Sequence, residues 1–284
     1  MSTGGLSPAD VSAVVCTMNS ASSIEACLLS LRQSGVGQVI VVDARSTDGT
    51  REIADRLADI VAEDAGVGLA AARNVGIAHS TGALVLNLGS DNVITREAME
   101  GMITTLESMH VEGVSAQTHV VGGNYVSRAM HAWRSARFRP GPSRIIGTPT
   151  LFRGDRLRSH PFSSTVTMAD DSELCERWAE SFGATFAISD ASVDELGKAT
   201  WRETWIRCRM YGVSDDEVYR GGRARGWSRR RRVRSLTHPI RVDLLVPLTV
   251  LPWRDRLVFG PYFVVFTALR YAGWIRAAYA ARSA

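Results

Sequence analysis

Cysteine is sparse: Cys16, Cys27, Cys175 and Cys208 are the four present, and no two are spaced CxxC. This excludes a disulfide framework and a zinc ribbon, and predicts reduced thiols in a cytosolic protein. Lysine is represented by Lys198 alone beside abundant arginine, which fits a GC-rich genome better than a chemical need. The six histidines show no metal-ligand spacing. No GxGxxG follows the first apolar run, where Cys16-Thr17-Met18-Asn19 stands instead, so a dinucleotide-binding reading is weak. There is no GxxxxGK[ST] and no internal repeat. The opening MSTGGLSPAD has neither a basic n-region nor an apolar h-region, so no signal peptide is predicted. No apolar run reaches the ~20 residues needed to cross a bilayer.

The 284 residues are enough for one large α/β domain with an appendage. Short apolar runs at Val11–Cys16, Gln38–Asp43, Asp59–Ala62, Ala83–Leu88 and Val114–Val121 read as buried strands. Between them, Ser22–Ser34, Thr50–Leu57, Gly68–His79 and Arg96–Met109 have helical spacing. Strands alternating with helices predict right-handed βαβ units and a mostly parallel central sheet flanked by helices. Further on, Tyr125–Phe138 reads as helical, Ile145–Phe152 as extended, Ala184–Ser189 as a strand and Trp201–Tyr211 as an amphipathic aromatic segment.

Charge divides the chain. From Arg220 onward there are fourteen arginines against Asp243 and Asp255, a net +12, which leaves −8 for the preceding residues. Seven of these arginines crowd into Gly221–Arg234, read as a linker or a surface-binding segment. Two apolar runs follow, Val242–Trp253 and Leu257–Leu269, with Pro247, Pro252 and Pro261 as helix interruptions. Trp253, Tyr262, Trp274 and Tyr279 are aromatics suited to a membrane interface, and Arg270, Arg276 and Arg282 can snorkel. Packing on the domain is the plainer reading of these runs. Basic residues directly before apolar segments favour attachment to an anionic membrane surface. The predicted division is therefore 1–215 as the catalytic domain, 216–239 as a basic linker and 240–284 as membrane-associating helices.

Candidate chemistry lies at strand ends. Asp43 closes an apolar strand, where an acid marks the strand's exit into a ligand crevice. Asp48, before Gly49-Thr50, reads as a turn or cap carboxylate. Arg73 and Asn74 follow the small-residue run 66–72, which allows close backbone approach, and arginine suits bidentate phosphate contact. Taken alone, a surface arginine and a helix-internal asparagine explain them better. Asp91 follows Val85-Leu86-Asn87-Leu88-Gly89-Ser90 and can hold a divalent metal through hard oxygens, with an Asx turn as the competing role. Asp170 and Asp171 precede a helix. One of them can be a general base, and helix-dipole complementation accounts for them as well.

Together these residues resemble the family 2 glycosyltransferases of the GT-A fold. The segments that carry the resemblance are VVCTMNS (14–20), VIVVDARSTDGT (39–50), AARNVGIAHSTG (71–82), LNLGSDN (86–92), GTPTLFRGD (147–155) and MADDSEL (168–174). The resemblance implies inverting transfer of a sugar from a nucleotide diphosphate sugar. It implies donor contacts from Thr17, Asn19, Asp43, Arg73, Asn74 and Ser90, and Mg²⁺ or Mn²⁺ on Asp91. Asp171, with Asp170 beside it, would be the catalytic base. The family's QxxRW motif of processive synthases is absent. Two positions depart from the pattern: Ala44 replaces the usual second acid after Asp43, and Gly89 replaces the first acid of the DxD metal motif. The second departure implies a reduced or absent metal requirement.

The expected activity is transfer from a UDP- or GDP-sugar to a lipid-linked or cell-envelope glycan, at the cytoplasmic face of a membrane. A sugar nucleotidyltransferase would want a glycine-rich basic loop after the first strand, which Cys16–Ser20 does not supply. Gly89 leaves open two readings, a metal site in which Asp91 alone suffices and a nucleotide-sugar binder without catalysis. Nucleic-acid binding through Arg229–Arg232 is the reading of a lone arginine run; the acidic body and the apolar segments that follow argue against it.

Overall fold

The computed structural model describes residues 5–64, 66, 68–163, 170–197 and 200–283; for Asp170, Arg282 and Ser283 it describes the backbone only. Met168 and Ala169 of the acidic motif lie outside the described residues.

Continuous apolar runs form strands where both faces are covered. The first are β1 (Val11–Thr17), β2 (Gln38–Asp43), β3 (Ile60–Glu63) and β4 (Leu84–Gly89). They alternate with α1 (Ile24–Ser34), α2 (Thr50–Leu57) and α3 (Leu69–His79). β1 pairs in parallel with β2 and β4, and β2 with β3. One face of these strands packs with α1 and with α4 (Arg96–Ser108) in a core that includes Val11, Ala13, Val15, Leu28, Leu31, Leu86 and Met102. On the other face α3 crosses β1 at Gly76, where a Cβ would overlap the Val14 side chain. That close approach lays α3 on the sheet.

Beyond β4 the sheet changes direction. β6 (Gly113–Val120), β7 (Gly141–Ser143), β8 (Thr150–Arg153) and β9 (Phe186–Glu195) extend it, and the described strands run in the order β3-β2-β1-β4-β8-β6-β9-β5 with β7 on β9. β8 is antiparallel to β4 and to β6. The two-residue strand β5 (Asn92–Val93) pairs antiparallel with the end of β9. The sheet is thus mixed: β3-β2-β1-β4 are parallel, and β8 runs against both its neighbours. The expected strand at 184–189 is longer than the sequence indicates, running to Glu195, where Asp194 and Glu195 pair with β5.

The described chain falls into two compact units, Met1–His119 with Arg139–Gly197, and Val120–Phe138 with Lys198–Ala284. The first holds the sheet, together with α6 (Gly154–Ser159) and α7 (Asp170–Phe182). The second is helical: α5 (Tyr125–Arg137), α8 (Trp201–Ala224), α9 (Arg229–Leu236), a π-helical turn Ile240–Leu245, α10 (Val246–Val250) and α11 (Trp253–Ser283). Its core is aromatic, with Trp133, Tyr262, Phe263 and Phe266 fully buried.

Four expectations change here. The aromatic segment expected to end near Tyr211 continues to Ala224, across residue 215, because Gly212 is where α8 meets α11; a Cβ there would strike the Gly273–Trp274 backbone. The first C-terminal apolar run forms the π-helical turn and α10 and ends before Pro252, while the second lies inside one long helix, α11, which incorporates Pro261. By length and composition Trp253–Ala281 suffices to cross a membrane, correcting the expectation that no such segment exists, although 44% of its apolar window is buried inside the fold. Residues 216–239, expected as a linker, contain the end of α8 and all of α9.

Candidate active site

The loops after β1, β2 and β4 leave the same edge of the sheet, since those three strands are parallel neighbours. Polar side chains lace them together. Asn19 adopts a left-handed conformation (φ 51°), which asparagine tolerates. Its Oδ1 accepts from the Thr47 N–H at 2.9 Å, and its own N–H donates to Ser46 Oγ at 2.8 Å. Asp43, 2% exposed at the end of β2, accepts from Ser46 N and Ser46 Oγ at 3.1 and 2.6 Å. Asp48 accepts from Thr50 N and Oγ1, at 3.1 and 2.5 Å, and from Ala21 N at 3.1 Å. The Thr50 hydroxyl bond, ahead of these amides, holds the Asp48 carboxyl below the usual carboxylate range. Ser20 N donates to Thr50 Oγ1, and Ser90 Oγ donates to Ser20 Oγ at 3.0 Å, which joins the β4 loop to the other two. Asp43 therefore has the same kind of role as Asp48: both carboxylates shape loops.

Thr17, at the end of β1, behaves differently. Its Oγ1 is buried with no hydrogen-bond partner among the described residues. A buried hydroxyl without a partner at a strand's exit is a place where a ligand group would be held.

The second half of the site comes from α3. Arg73 is 6% exposed, yet its guanidinium is fully engaged. Nη1 donates to Asp171 Oδ1 at 3.0 Å, Nη2 donates to Thr148 Oγ1 at 2.5 Å, and the plane lies 5.1 Å over the Phe162 ring. The strand register places this cluster. Thr150 stands opposite Asn87 on the antiparallel β4–β8 pair, so Thr148 lies level with Gly89 at the carboxyl end of β4. Arg73 and Asp171 thereby share the edge from which the three loops emerge. Open parallel sheets bind ligands at this edge.

The sequence picks out Arg73 as a donor contact and Asp171 as a base from segments 98 residues apart; the structure joins them directly. Asn74 takes a supporting part. Its Nδ2 donates to Phe162 O, and its Oδ1 accepts from Phe162 N, at 2.8 and 3.0 Å. The sequence gives no sign of Phe162, an isolated aromatic after a proline. Thr148 is within a recognised segment, but nothing in its local pattern shows that it binds an arginine. Asp170 begins α7, and its side chain lies outside the description.

At the end of β4, Asp91 is half-buried beside Gly89. A Cβ at Gly89 would lie 2.8 Å from Asp91 Oδ1 and 2.8 Å from Asn92 Oδ1. The space where a first DxD side chain would begin is thus taken by the second acid's own carboxylate. Among the described residues no group of three or more His, Cys, Asp or Glu side chains converges as a metal cage. This donor set does not fit an ion held by protein carboxylates alone. It fits one held by a single carboxylate and completed by phosphate oxygens and water, the arrangement Mg²⁺ accepts.

Known proteins share this arrangement of elements. The sequence model of "Glycosyl transferase family 2" matches residues 12–165. Glycosyltransferase AglE of Haloferax volcanii is 32% identical over 124 residues, which cover 40% of this chain and 38% of that protein. The match therefore spans well under half the length of that relative. Among solved structures, the mannosyltransferase PcManGT from Pyrobaculum calidifontis, in complex with GDP-Man and Mn²⁺, aligns with TM-score 0.62 at 20% identity, covering 95% of this chain and 86% of that one. TarS of S. aureus in complex with UDP-GlcNAc aligns with TM-score 0.53 at 17% identity, covering 96% and 91%. At these identities the structural likeness is one of fold, and the fold is GT-A. The matched segment runs through β1, β2, α3, β4 and β8 and takes up more than half of the sequence, and on that ground the chain belongs to glycosyl transferase family 2.

Proposed function

We propose that this glycosyltransferase is an inverting enzyme that moves a sugar from a UDP- or GDP-sugar to a lipid-linked or cell-envelope glycan at a membrane surface. The observation that carries the reading is the Arg73–Asp171 pair at 3.0 Å, level with the end of β4. The pair holds the Asp171 carboxylate at the edge where the three loops emerge, the place a general base would occupy. In the proposed step the acceptor oxygen attacks the anomeric carbon on the face opposite the diphosphate. The bond from that carbon to the diphosphate oxygen breaks, its electron pair leaves with the nucleoside diphosphate, and the acceptor proton passes to Asp171. A lipid phosphate acceptor is already ionised and would not call on Asp171.

Thr17 supports the donor assignment through its unpartnered buried hydroxyl. Asn19, Asp43 and Ser90 support it indirectly, by fixing the loops that would surround the donor. Asp91 would hold Mg²⁺ or Mn²⁺, which when bound neutralises charge on the diphosphate leaving group. The solved fold relatives carry GDP-Man with Mn²⁺ in one case and UDP-GlcNAc in another, so both nucleotides belong in a first test.

Membrane contact is the function proposed for residues 240–284, with 216–239 as the basic approach and 1–215 as the catalytic part. The support is α11. Its inner face, Phe259, Tyr262, Phe263, Phe266 and Arg270, is buried. Its outer face from Leu257 to Ile275 shows Leu257, Val258, Val264, Val265 and Ile275 and no exposed charge. That bare face is roughly 27 Å long at 1.5 Å per residue. A helix with one face in protein and the other apolar lies along a membrane surface rather than surrounded by lipid.

The test is a thermal-shift screen of UDP, GDP and other nucleoside diphosphates with and without Mn²⁺. A rise in melting temperature for one base names the donor nucleotide. No shift with any nucleoside diphosphate would remove the donor-site reading.

A further inference from the structure

Positive charge in this protein is concentrated on α9. Arg229, Arg230, Arg231, Arg232 and Arg234 occupy five of its eight positions. Buried arginines elsewhere have carboxylate partners, as with Arg73 and Asp171 or Arg270 and Asp243. Among the described residues no carboxylate pairs with Arg229, Arg230, Arg232 or Arg234. Arg231 stacks 4.4 Å over Trp227. Arg241, from the π-helical turn, is pinned against the end of α9 by donating to Arg234 O at 2.7 Å and Thr237 Oγ1 at 3.3 Å. Between these elements runs an open groove of about 540 Å³ lined by Arg229, Arg230, Val233, Arg234, Thr237 and Arg241.

Four arginines along one groove with no carboxylate partner among the described residues concentrate positive charge there, a field that favours an anion. The same field reaches the adjoining His238, whose pKa is pulled down to about 3 by burial first and then by Arg137, Arg270, Arg241 and Arg234. Guanidinium forks match phosphate oxygens in paired hydrogen bonds. The surroundings narrow the kind of phosphate. Val233, at 59% exposure, stands in the groove itself, and Leu236, Ile240 and Leu245 are exposed nearby. Aliphatic side chains beside phosphate-binding arginines suit a lipid, whereas single-stranded nucleic acid is held by stacking aromatics.

We propose that this groove binds the phosphate or diphosphate headgroup of a membrane lipid, gripped by Arg229, Arg230, Arg234 and Arg241. The proposal rests on the membrane reading of α11.

The test is sedimentation of the full-length protein with phosphatidylcholine vesicles, with and without phosphatidic acid. It compares wild type, the Arg229→Gln/Arg230→Gln double variant, and Arg56→Gln/Arg96→Gln as exposed controls of equal charge change on the acidic body. Wild type and controls should bind the phosphatidic acid vesicles alike. The groove variant should bind them roughly thirtyfold less, the factor for losing two surface arginines against an anionic leaflet, with an unchanged melting temperature. Loss in the groove variant with the controls unaffected supports both the groove and the membrane reading. Equal loss in groove and control variants would reduce the effect to net charge and overturn the site. Stronger displacement by single-stranded RNA, or variant-sensitive binding of inorganic diphosphate without any difference on vesicles, would overturn the lipid assignment. Wild type that sediments with no vesicle overturns the membrane reading and the groove with it.

Discussion

In the proposed function, Gly89 and Asp91 would set the metal requirement of this site. With Asp91 as the acid at the end of β4, a bound ion would owe most of its coordination to the donor's phosphates. Asp91→Ala should therefore abolish the Mn²⁺-dependent part of nucleotide-diphosphate stabilisation; unchanged shifts with and without Mn²⁺ would remove Asp91 from the metal site. Gly89→Asp should act in the opposite sense. Its Cβ meets only the movable ends of Asp91 and Asn92, so a second carboxylate can be accommodated. The Mn²⁺ concentration for half-maximal activity should fall about tenfold, equivalent to ~1.4 kcal/mol of binding. Asp171→Asn tests the base. Turnover onto a hydroxyl acceptor should drop by roughly 10²–10⁴, while donor binding, measured by calorimetry, stays near wild type. Wild-type turnover would remove Asp171 from that role.

At the scale of elements, the helical unit is tied by buried charge. Asp243 is fully buried and accepts from Arg137 at 2.9 Å and Arg270 at 2.7 Å, while Arg270 also grips Asp215 through two bonds at 2.6 and 2.8 Å. One network thus connects α5, α8, the π-helical turn and α11. Removing a single member leaves an uncompensated buried charge. Arg270→Met should destabilise the protein by ~3–5 kcal/mol, read as a lower denaturant midpoint; a loss below ~1 kcal/mol would mean that Asp243 is satisfied without it. The outer face of α11 predicts the reverse pattern. Val264→Asp and Leu257→Asp, both at exposed positions, should release the protein from vesicles yet leave its melting temperature within about 2 °C, since surface substitutions usually stay within ~0.5 kcal/mol.

At the scale of the whole molecule, stability should depend on pH through His238. Its folded pKa of about 3 lies below the ordinary 6.5, so between those values the unfolded chain binds the extra proton. Stability is complete above pH 6.5 and falls as the pH drops toward 3, by up to ~1.4 kcal/mol per pH unit. Thermal melts from neutral pH down into the acid range should show this slope, and His238→Gln should flatten it. A slope unchanged by the substitution would assign the effect to other groups. The charge split along the chain acts at the same scale: in the proposed membrane reading, an acidic body with a strongly basic end would orient the protein toward an anionic surface.

Much of the first unit is legible in the sequence because β1, β2, β4, α1 and α3 are set by local patterns: continuous apolar strands, helical periodicity, polar residues at strand exits. Asp43 and Asp91 are picked out as candidates for the same reason, as acids placed where apolar runs stop, Arg73 by the small-residue run before it and Asp171 by the acidic pair before a helix, while Thr17 comes only through the resemblance. What those residues do to each other is a long-range matter. Asp43 turns inward to Ser46, and Arg73 closes on Asp171, Thr148 and Phe162, the first two 98 and 75 residues away, which no local pattern connects. The length of α8 and α11 belongs to the same class. Gly212 and Pro261 are breakers by local propensity, but the close crossing at Gly273 and the buried aromatic core hold both helices continuous through them. Side-chain chemistry and strand order are written residue by residue. Which carboxylate meets which guanidinium, and which face of a helix is left bare, depends on packing between segments far apart in the chain, and only the tertiary structure decides that.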